Sequence, residues 1–212
     1  MEIINLGHAS FLLKTDKLSI VVDPYRDDSV PGLTFPRVSA NYVFSSHDHY
    51  DHDAVDLVKK IPTNEMVDVK TIVVPHDHHN GAHRGLNKIH IFNLDGYRVI
   101  HVGDLGCIPD KDVLDKLMNA DVLLAPINGH FTISAQELHD ISKLIKPRIV
   151  IPMHYFIKSE NSGYPDGGQI DIFKKLVGDY YEVNGYSLKI NDELFKHKVV
   201  IYNSALQEGD EL

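Results

Sequence analysis

Apolar residues in the first half of the chain fall in short runs that predict strands. These are Ile3–Leu6, Phe11–Lys14, Leu18–Val22, Tyr42–Ser45 and Thr71–Val74. Lys88–Leu94 and Tyr97–Val102 follow, joined by Asp95-Gly96, a dipeptide suited to the two-residue hairpin turn because both positions tolerate positive φ. Spacings of three and four residues predict helices over Ala54–Lys60, Lys111–Asn119 and Gln136–Ile145. Ahead of the last, Ser134 and Glu137 stand at capping-box spacing before the apolar stripe Leu138, Ile141, Leu144, Ile145. Val122–Ala125 and Ile149–Ile151 are continuously apolar and read as buried strands. Pro31 to Arg37 and Ser159 to Gly168 read as loops; Gly163, Pro165, Gly167 and Gly168 mark the second as a mobile flap. Strands first, then alternating strand and helix, favour a layered α/β sandwich over a barrel. No linker or repeat interrupts the pattern, so residues 1–212 are expected to form a single domain.

Composition narrows the function classes. The chain has 212 residues, 43% apolar and 24% charged, enough for a sizeable core. Its formal net charge of −9 argues against nucleic acid as a partner, because phosphate binding needs a basic surface. A small anionic substrate stays open, since a bound cation reverses the local potential. The single cysteine, Cys107, excludes an internal disulfide and reads as a buried small residue. No signal-peptide pattern and no apolar run of membrane-spanning length occur, so a cytoplasmic protein without membrane contact is expected. Oligomeric state has no signature in the sequence.

Fourteen histidines are dispersed through the chain, and three of them concentrate in His47-Asp48-His49-Tyr50-Asp51-His52. Imidazole nitrogen and carboxylate oxygen are the donors a zinc-class cation prefers. His47 and His49, two apart at a strand end, point the same way and can grip one cation. Asp51 and His52 follow where the chain turns, within reach of a second. Four more metal-competent side chains leave apolar strands for loops: Asp23 after Leu18–Val22, His76 after Thr71–Pro75, Asp104 after Val99–Gly103, and His154 after Ile149–Met153. His78, His79 and His83 crowd the His76 loop and compete with it as ligands. His90, His101, His139 and His197 read as ordinary satisfied or surface histidines. Arg84 suits either an anionic substrate or, more simply, a pairing with Asp77 or a backbone carbonyl. Tyr155 reads as packing.

This ordered set resembles the five motifs of the metallo-β-lactamase superfamily. Gly7-His8-Ala9-Ser10-Phe11, His76-Asp77, Arg84-Gly85-Leu86-Asn87, Gly103-Asp104-Leu105-Gly106, Phe131-Thr132-Ile133 and Pro152-Met153-His154-Tyr155 resemble the branch that includes ascorbate-phosphate lactonase and many uncharacterised hydrolases. The similarity runs from about Met1 to Tyr155. It implies a four-layered αββα sandwich, two mixed β-sheets packed face to face with helices outside. It also implies that His47, His49 and His76 hold one metal, that Asp51, His52 and His154 hold a second, and that Asp104 bridges them. Asp23 would hydrogen-bond a ligand histidine and fix its tautomer. His8 would line the site. Asn128-Gly129-His130 departs from the branch pattern, and its His130 could touch substrate.

Two such cations lower the pKa of a shared water, and the hydroxide attacks a carbonyl or phosphorus, oriented by Asp51. No Gly-x-Ser-x-Gly nucleophile elbow offers an alternative. A metal-dependent hydrolase of a small ester, lactone or phosphorylated substrate is therefore expected. Zinc is the expected metal, one or two ions, with manganese, iron and nickel also compatible. The competing readings are a phosphodiester nuclease of the same superfamily, a non-catalytic metal-binding or sensing module, and an iron-bearing redox domain.

Overall fold

The computed structural model describes residues 1–165 and 169–210. Gly167 and Gly168 of the expected flap lie outside the described residues. Two five-stranded mixed sheets face each other. The first contains β1 (Glu2–Gly7), β2 (Ser10–Lys14), β3 (Ser19–Val22) and β5 (Tyr42–Phe44), edged by β13 (Ser187–Lys189) beside β1. Two-residue strands β4 (Ser39–Ala40) and β6 (Lys59–Lys60) pair separately. The second sheet runs β7 (Asp68–Pro75), β8 (Leu86–Leu94), β9 (Tyr97–His101), β10 (Val122–Pro126) and β11 (Ile149–Met153). At Asp95-Gly96 both residues take positive φ, 49° and 80°, as the predicted hairpin turn requires.

The sandwich expected from the sequence is present, with one difference in its outer layers. Between the sheets, Phe11, Ile20 and Val22 meet Phe92, Leu124 and Ile151. Over the second sheet lie α1 (Lys111–Leu117), α2 (Ala135–Ile145) and α3 (Ile170–Val177), which bury Leu117, Leu138, Ile141 and Phe173 against Ile89, Ile100 and Val150. The α2 capping box forms as predicted, and Lys146 closes the helix in the left-handed conformation just before Pro147. The outer face of the first sheet is covered by irregular chain instead: Tyr25, Val30, Leu33 and Phe35 pack on Leu6, Leu12 and Val21. The helix predicted over Ala54–Lys60 is not formed. A 3-10 turn spans Val55–Leu57, and bonds from Ala54 N to Pro24 O (2.8 Å) and Lys59 N to Val38 O (3.0 Å) hold the segment to the covering loop.

The C-terminal part, unassigned from the sequence, adds α3, β12 (Tyr181–Val183), β13 and β14 (Val200–Tyr202). Here β13 pairs with β1, while β14 runs parallel to β12 and bridges to β11 through Val199 and Val150. Among the described residues no helix is long and apolar enough to cross a membrane.

The strand directions place the chemistry. In the first sheet β1, β3 and β5 run the same way, because β1 and β3 are both antiparallel to β2, and β5 is parallel to β3. In the second, β7, β9, β10 and β11 share one direction. Their C-terminal ends release His8, Asp23 and His47 from one sheet, and His76, Asp104 and His154 from the other. Loops beyond the carboxyl ends of such strands are where α/β proteins bind ligands.

Candidate metal centre

At this rim the two sheets are stitched together: the His154 backbone N–H donates to the His8 carbonyl at 3.0 Å. His8, Asp23 and His154 have φ of 57°, 51° and 61°, a left-handed conformation that non-glycine residues seldom take and that gathers at functional sites. Donor atoms of His47, His49 and His76 lie within 4.8 Å of one another. Those of His8, Asp51, His52 and His154 form a second group within the same limit, and His47, His52 and Asp104 a third that links the other two. Asp104 sits centrally: its Oδ2 is 3.3 Å from His52 Nε2, 3.4 Å from His154 Nε2 and 3.6 Å from His76 Nε2.

Most of these side chains are buried. Among the described residues, Nε2 of His8, His47, His52 and His76, Nδ1 of His76 and His154, and Oδ1 of Asp104 are buried with no hydrogen-bond partner. Buried polar atoms almost always find partners. A convergent set of orphaned imidazole and carboxylate atoms fits a cation of the zinc class, which takes three or four such donors.

A hydrogen-bonded scaffold aims the rings. Asp23 Oδ1 accepts the Ser46 backbone N–H at 2.6 Å. Its Oδ2 accepts the Ser46 hydroxyl at 2.7 Å and lies 2.9 Å from His52 Nδ1. The Ser46 hydroxyl, its hydrogen given to Asp23, accepts from His47 Nδ1 at 2.9 Å. Both rings therefore hold a proton on Nδ1 and turn Nε2 into the cage. Asn87 Oδ1 accepts the Asp104 N–H at 2.9 Å, and its amide donates to Val102 O at 2.8 Å, which fixes the Asp104 loop. Gly106 lets that loop touch the His76 loop: a Cβ there would lie 2.0 Å from Asp77 N.

The charges suit ligation. Burial lowers the pKa of His47 to about 3, helped by neighbouring His52. Burial, with His154 nearby, lowers that of His8 to about 4. His76 is also lowered, again chiefly by burial. At Asp104 burial opposes ionisation, but His52 and His154 outweigh it and hold the carboxyl well below its usual range. Burial is likewise outweighed at Asp51, by the nearby His8 and His52 imidazoles, and at Asp23, by the hydrogen bond with His52. His52 goes the other way: burial lowers it, yet Asp104 and Asp23 raise it well above its ordinary value. Neutral imidazoles beside ionised carboxylates are the ligating forms.

The cage floors a cavity of about 660 Å³ whose walls include Arg84, His130, Phe131 and Tyr164. That volume is in the small-molecule range. His130 lines the cavity but belongs to none of the three donor groups. Of the histidines on the 76–83 loop the structure brings only His76 to the cage. His78 Nε2 faces Glu137 Oε1 at 3.1 Å, and the His79 and His83 rings pair with each other, centroids 4.5 Å apart. His90 and His101 are satisfied as expected, His90 by Thr71 Oγ1 and Ser45 O, His101 by Ala9 O at 2.8 Å. Tyr155 donates to Tyr202 O, and Cys107 is half-buried rather than buried. The pairing of Arg84 with Asp77 is corrected: the Asp77 carboxylate accepts four backbone N–H groups, from His79, Gly81, His83 and Arg84, and no guanidinium.

Sequence reasoning did not single out Ser46 or Tyr164, and it named Asn87 and Phe131 only within motifs of the resemblance, with no role. Ser46 had one available signal, its position beside the donor motif. Tyr164 had none: its hydroxyl donates to Ser29 O at 2.9 Å and comes within 3.5 Å of Asp51 Oδ2 only through the fold.

Residues 2–154 match the model of the β-lactamase superfamily domain. A UPF0173 metal-dependent hydrolase of Thermococcus onnurineus is 31% identical, the match covering 84% of this chain and 92% of the relative. One from Thermococcus kodakarensis is 32% identical with the same coverage. The crystal structure of a proposed Zn-dependent hydrolase of the metallo-β-lactamase superfamily from Thermotoga maritima superposes with a TM-score of 0.71 at 28% identity, covering 97% of this chain and 99% of the other. The catalytic-type cage, the two-sheet sandwich and these matches agree, and the chain belongs to the UPF0173 metal-dependent hydrolases of the metallo-β-lactamase superfamily.

Proposed function

We propose that the protein hydrolyses a small ester, lactone or phosphorylated compound at a centre of two zinc-class cations. His47, His49 and His76 hold one. Asp51, His52 and His154 hold the other, with His8 as a further donor beside them. Asp104 lies between the two. The observation that carries this reading is the three donor groups, each with its ligand atoms within 4.8 Å of one another, whose histidines and Asp104 carry orphaned buried atoms. Bound cations supply Lewis acidity and activate water at neutral pH.

The remaining work falls to the side chains. Asp51, held by His8 Nε2 at 3.4 Å, is placed to orient an attacking water and accept its proton. Tyr164, whose pKa is raised to about 12 by burial and by Asp51, stays protonated, and its hydroxyl could turn from Ser29 O to an oxygen of the substrate. The cavity walls limit the substrate to small-molecule size. The test is metal analysis of protein purified without chelator, then a chelator-controlled screen of lactones, aryl esters and phosphoesters. One to two metal equivalents and chelator-sensitive hydrolysis support the reading. Metal-free protein, or turnover that survives complete metal removal, overturns it.

A further inference from the structure

One cation of the chain's own stands in the cavity wall without an acidic partner among the described residues. Arg84 is half-buried, and its guanidinium lies over the Phe131 ring, Cζ 3.6 Å from the centroid. Among the described residues it makes no ion pair and no side-chain hydrogen bond. The nearest candidate in sequence, Asp77, is fully engaged with backbone amides, one of them the Arg84 N–H itself at 2.7 Å. The loop that carries Arg84 is therefore pinned at its backbone, while the charged head is left uncommitted. Two further bonds brace it: His76 N to Gly85 O at 3.1 Å, and Gly85 N to Gly81 O at 2.9 Å. The contact with the Phe131 face restricts the guanidinium, and its N–H donors have no partner among the described residues. A planar, pre-oriented fork of N–H donors matches the paired oxygens of a carboxylate or phosphate.

The setting strengthens the case. The whole chain carries a formal charge of −9, so an unpaired arginine inside a cavity is not part of a general basic surface. Burying an arginine partway without a partner is unfavourable unless a ligand completes it.

We propose that Arg84 is the anion-recognising group of this cavity, and that the natural substrate carries a carboxylate or phosphate monoester remote from the bond that is cleaved. Arg84 binds that anion, and the scissile group then lies over the histidine–aspartate floor. This deepens the hydrolase reading and rests on it for the cleavage step alone; anion binding stands separately.

Two measurements keep the proposals apart. The first is binding, without turnover: metal-loaded protein is titrated calorimetrically with glutarate and with glycerol phosphate, in wild type, Arg84→Met and Arg84→Lys. Met keeps an apolar stem against Phe131 and removes the charge; Lys keeps the charge and loses the fork. At least one anion should bind wild type about tenfold or more tightly than the Met variant, with Lys in between, and the stronger anion distinguishes carboxylate from phosphate. Equal affinity across wild type and both variants, or no binding of either anion to wild type, overturns the assignment. The second is selectivity: kcat/KM for mono-4-nitrophenyl glutarate over that for 4-nitrophenyl butyrate. The ratio should fall about tenfold in Arg84→Met, chiefly through KM for the anionic ester; an unchanged ratio refutes a role for Arg84 in selection. If neither ester is cleaved, the hydrolase reading rests on the wider substrate screen, and the titration alone decides the role of Arg84.

Discussion

At Ser46 a single hydroxyl is shared between Asp23 and His47, so one carboxylate sets the tautomer of two histidines in different parts of the cage. Ser46→Ala should cut metal affinity about 10- to 100-fold, the usual cost of losing a ligand's supporting bond. Competition with a chromogenic chelator measures it, and an unchanged affinity would remove Ser46 from the scaffold. Asp104→Ala should lose metal occupancy and hydrolysis together, because Asp104 Oδ2 is near histidines of both groups; a variant that keeps both refutes its central role. The positions grouped here stood out in the sequence through the clustered His47–His52 motif and through metal-competent side chains just beyond apolar strands at 76, 104 and 154. Ser46 and Tyr164 were not, nor was the role of Asn87, because a serine, a tyrosine or an asparagine has many ordinary uses, and only the fold brings these three to the cage.

Among the elements, the strands were readable because their apolar runs are short and bounded by turn residues. The segment Ala54–Lys60 misleads because its apolar spacing mimics a helix, while its backbone groups bond outward to the loop covering the first sheet. Tertiary partners overrode local preference there. In contrast, α3 had a signal in Ile170 and Phe173, both buried, three apart on one face. The loop contacts suggest two stability measurements. Gly106→Ala pushes a methyl into the Asp77 backbone and should destabilise the protein by about 1–3 kcal/mol or more, read by denaturant unfolding. Ser134→Ala removes the capping box of α2 and should cost about 1 kcal/mol, with metal content unaffected.

For the molecule as a whole, the buried histidines set the response to acid. His8, His47, His76, His90 and His101 all have pKa values lowered chiefly by burial. The unfolded chain, with histidine near 6.5, binds more protons than the folded one as pH falls below that value. Stability of the metal-free protein should therefore decline from about pH 6.5 towards pH 4, where the His8 value lies. His52, raised well above its ordinary value, works in the opposite direction: its contribution is present at low pH and is lost as pH climbs through its folded value. Thermal unfolding of chelator-treated protein between pH 7.5 and 4.5 tests the balance, and a midpoint that rises on acidification would show His52 dominating. Zinc at a hundredfold excess over its dissociation constant should add about 2.7 kcal/mol near neutral pH.

The bond between His154 N–H and the His8 carbonyl has a consequence for biosynthesis. It joins the start of the chain to a residue just beyond β11, so the cage cannot close while the polypeptide is half made. Early cation capture by the 47–52 segment on the ribosome would be loose and exchangeable. Tight retention would have to wait until the strand ending at Met153 has emerged and docked.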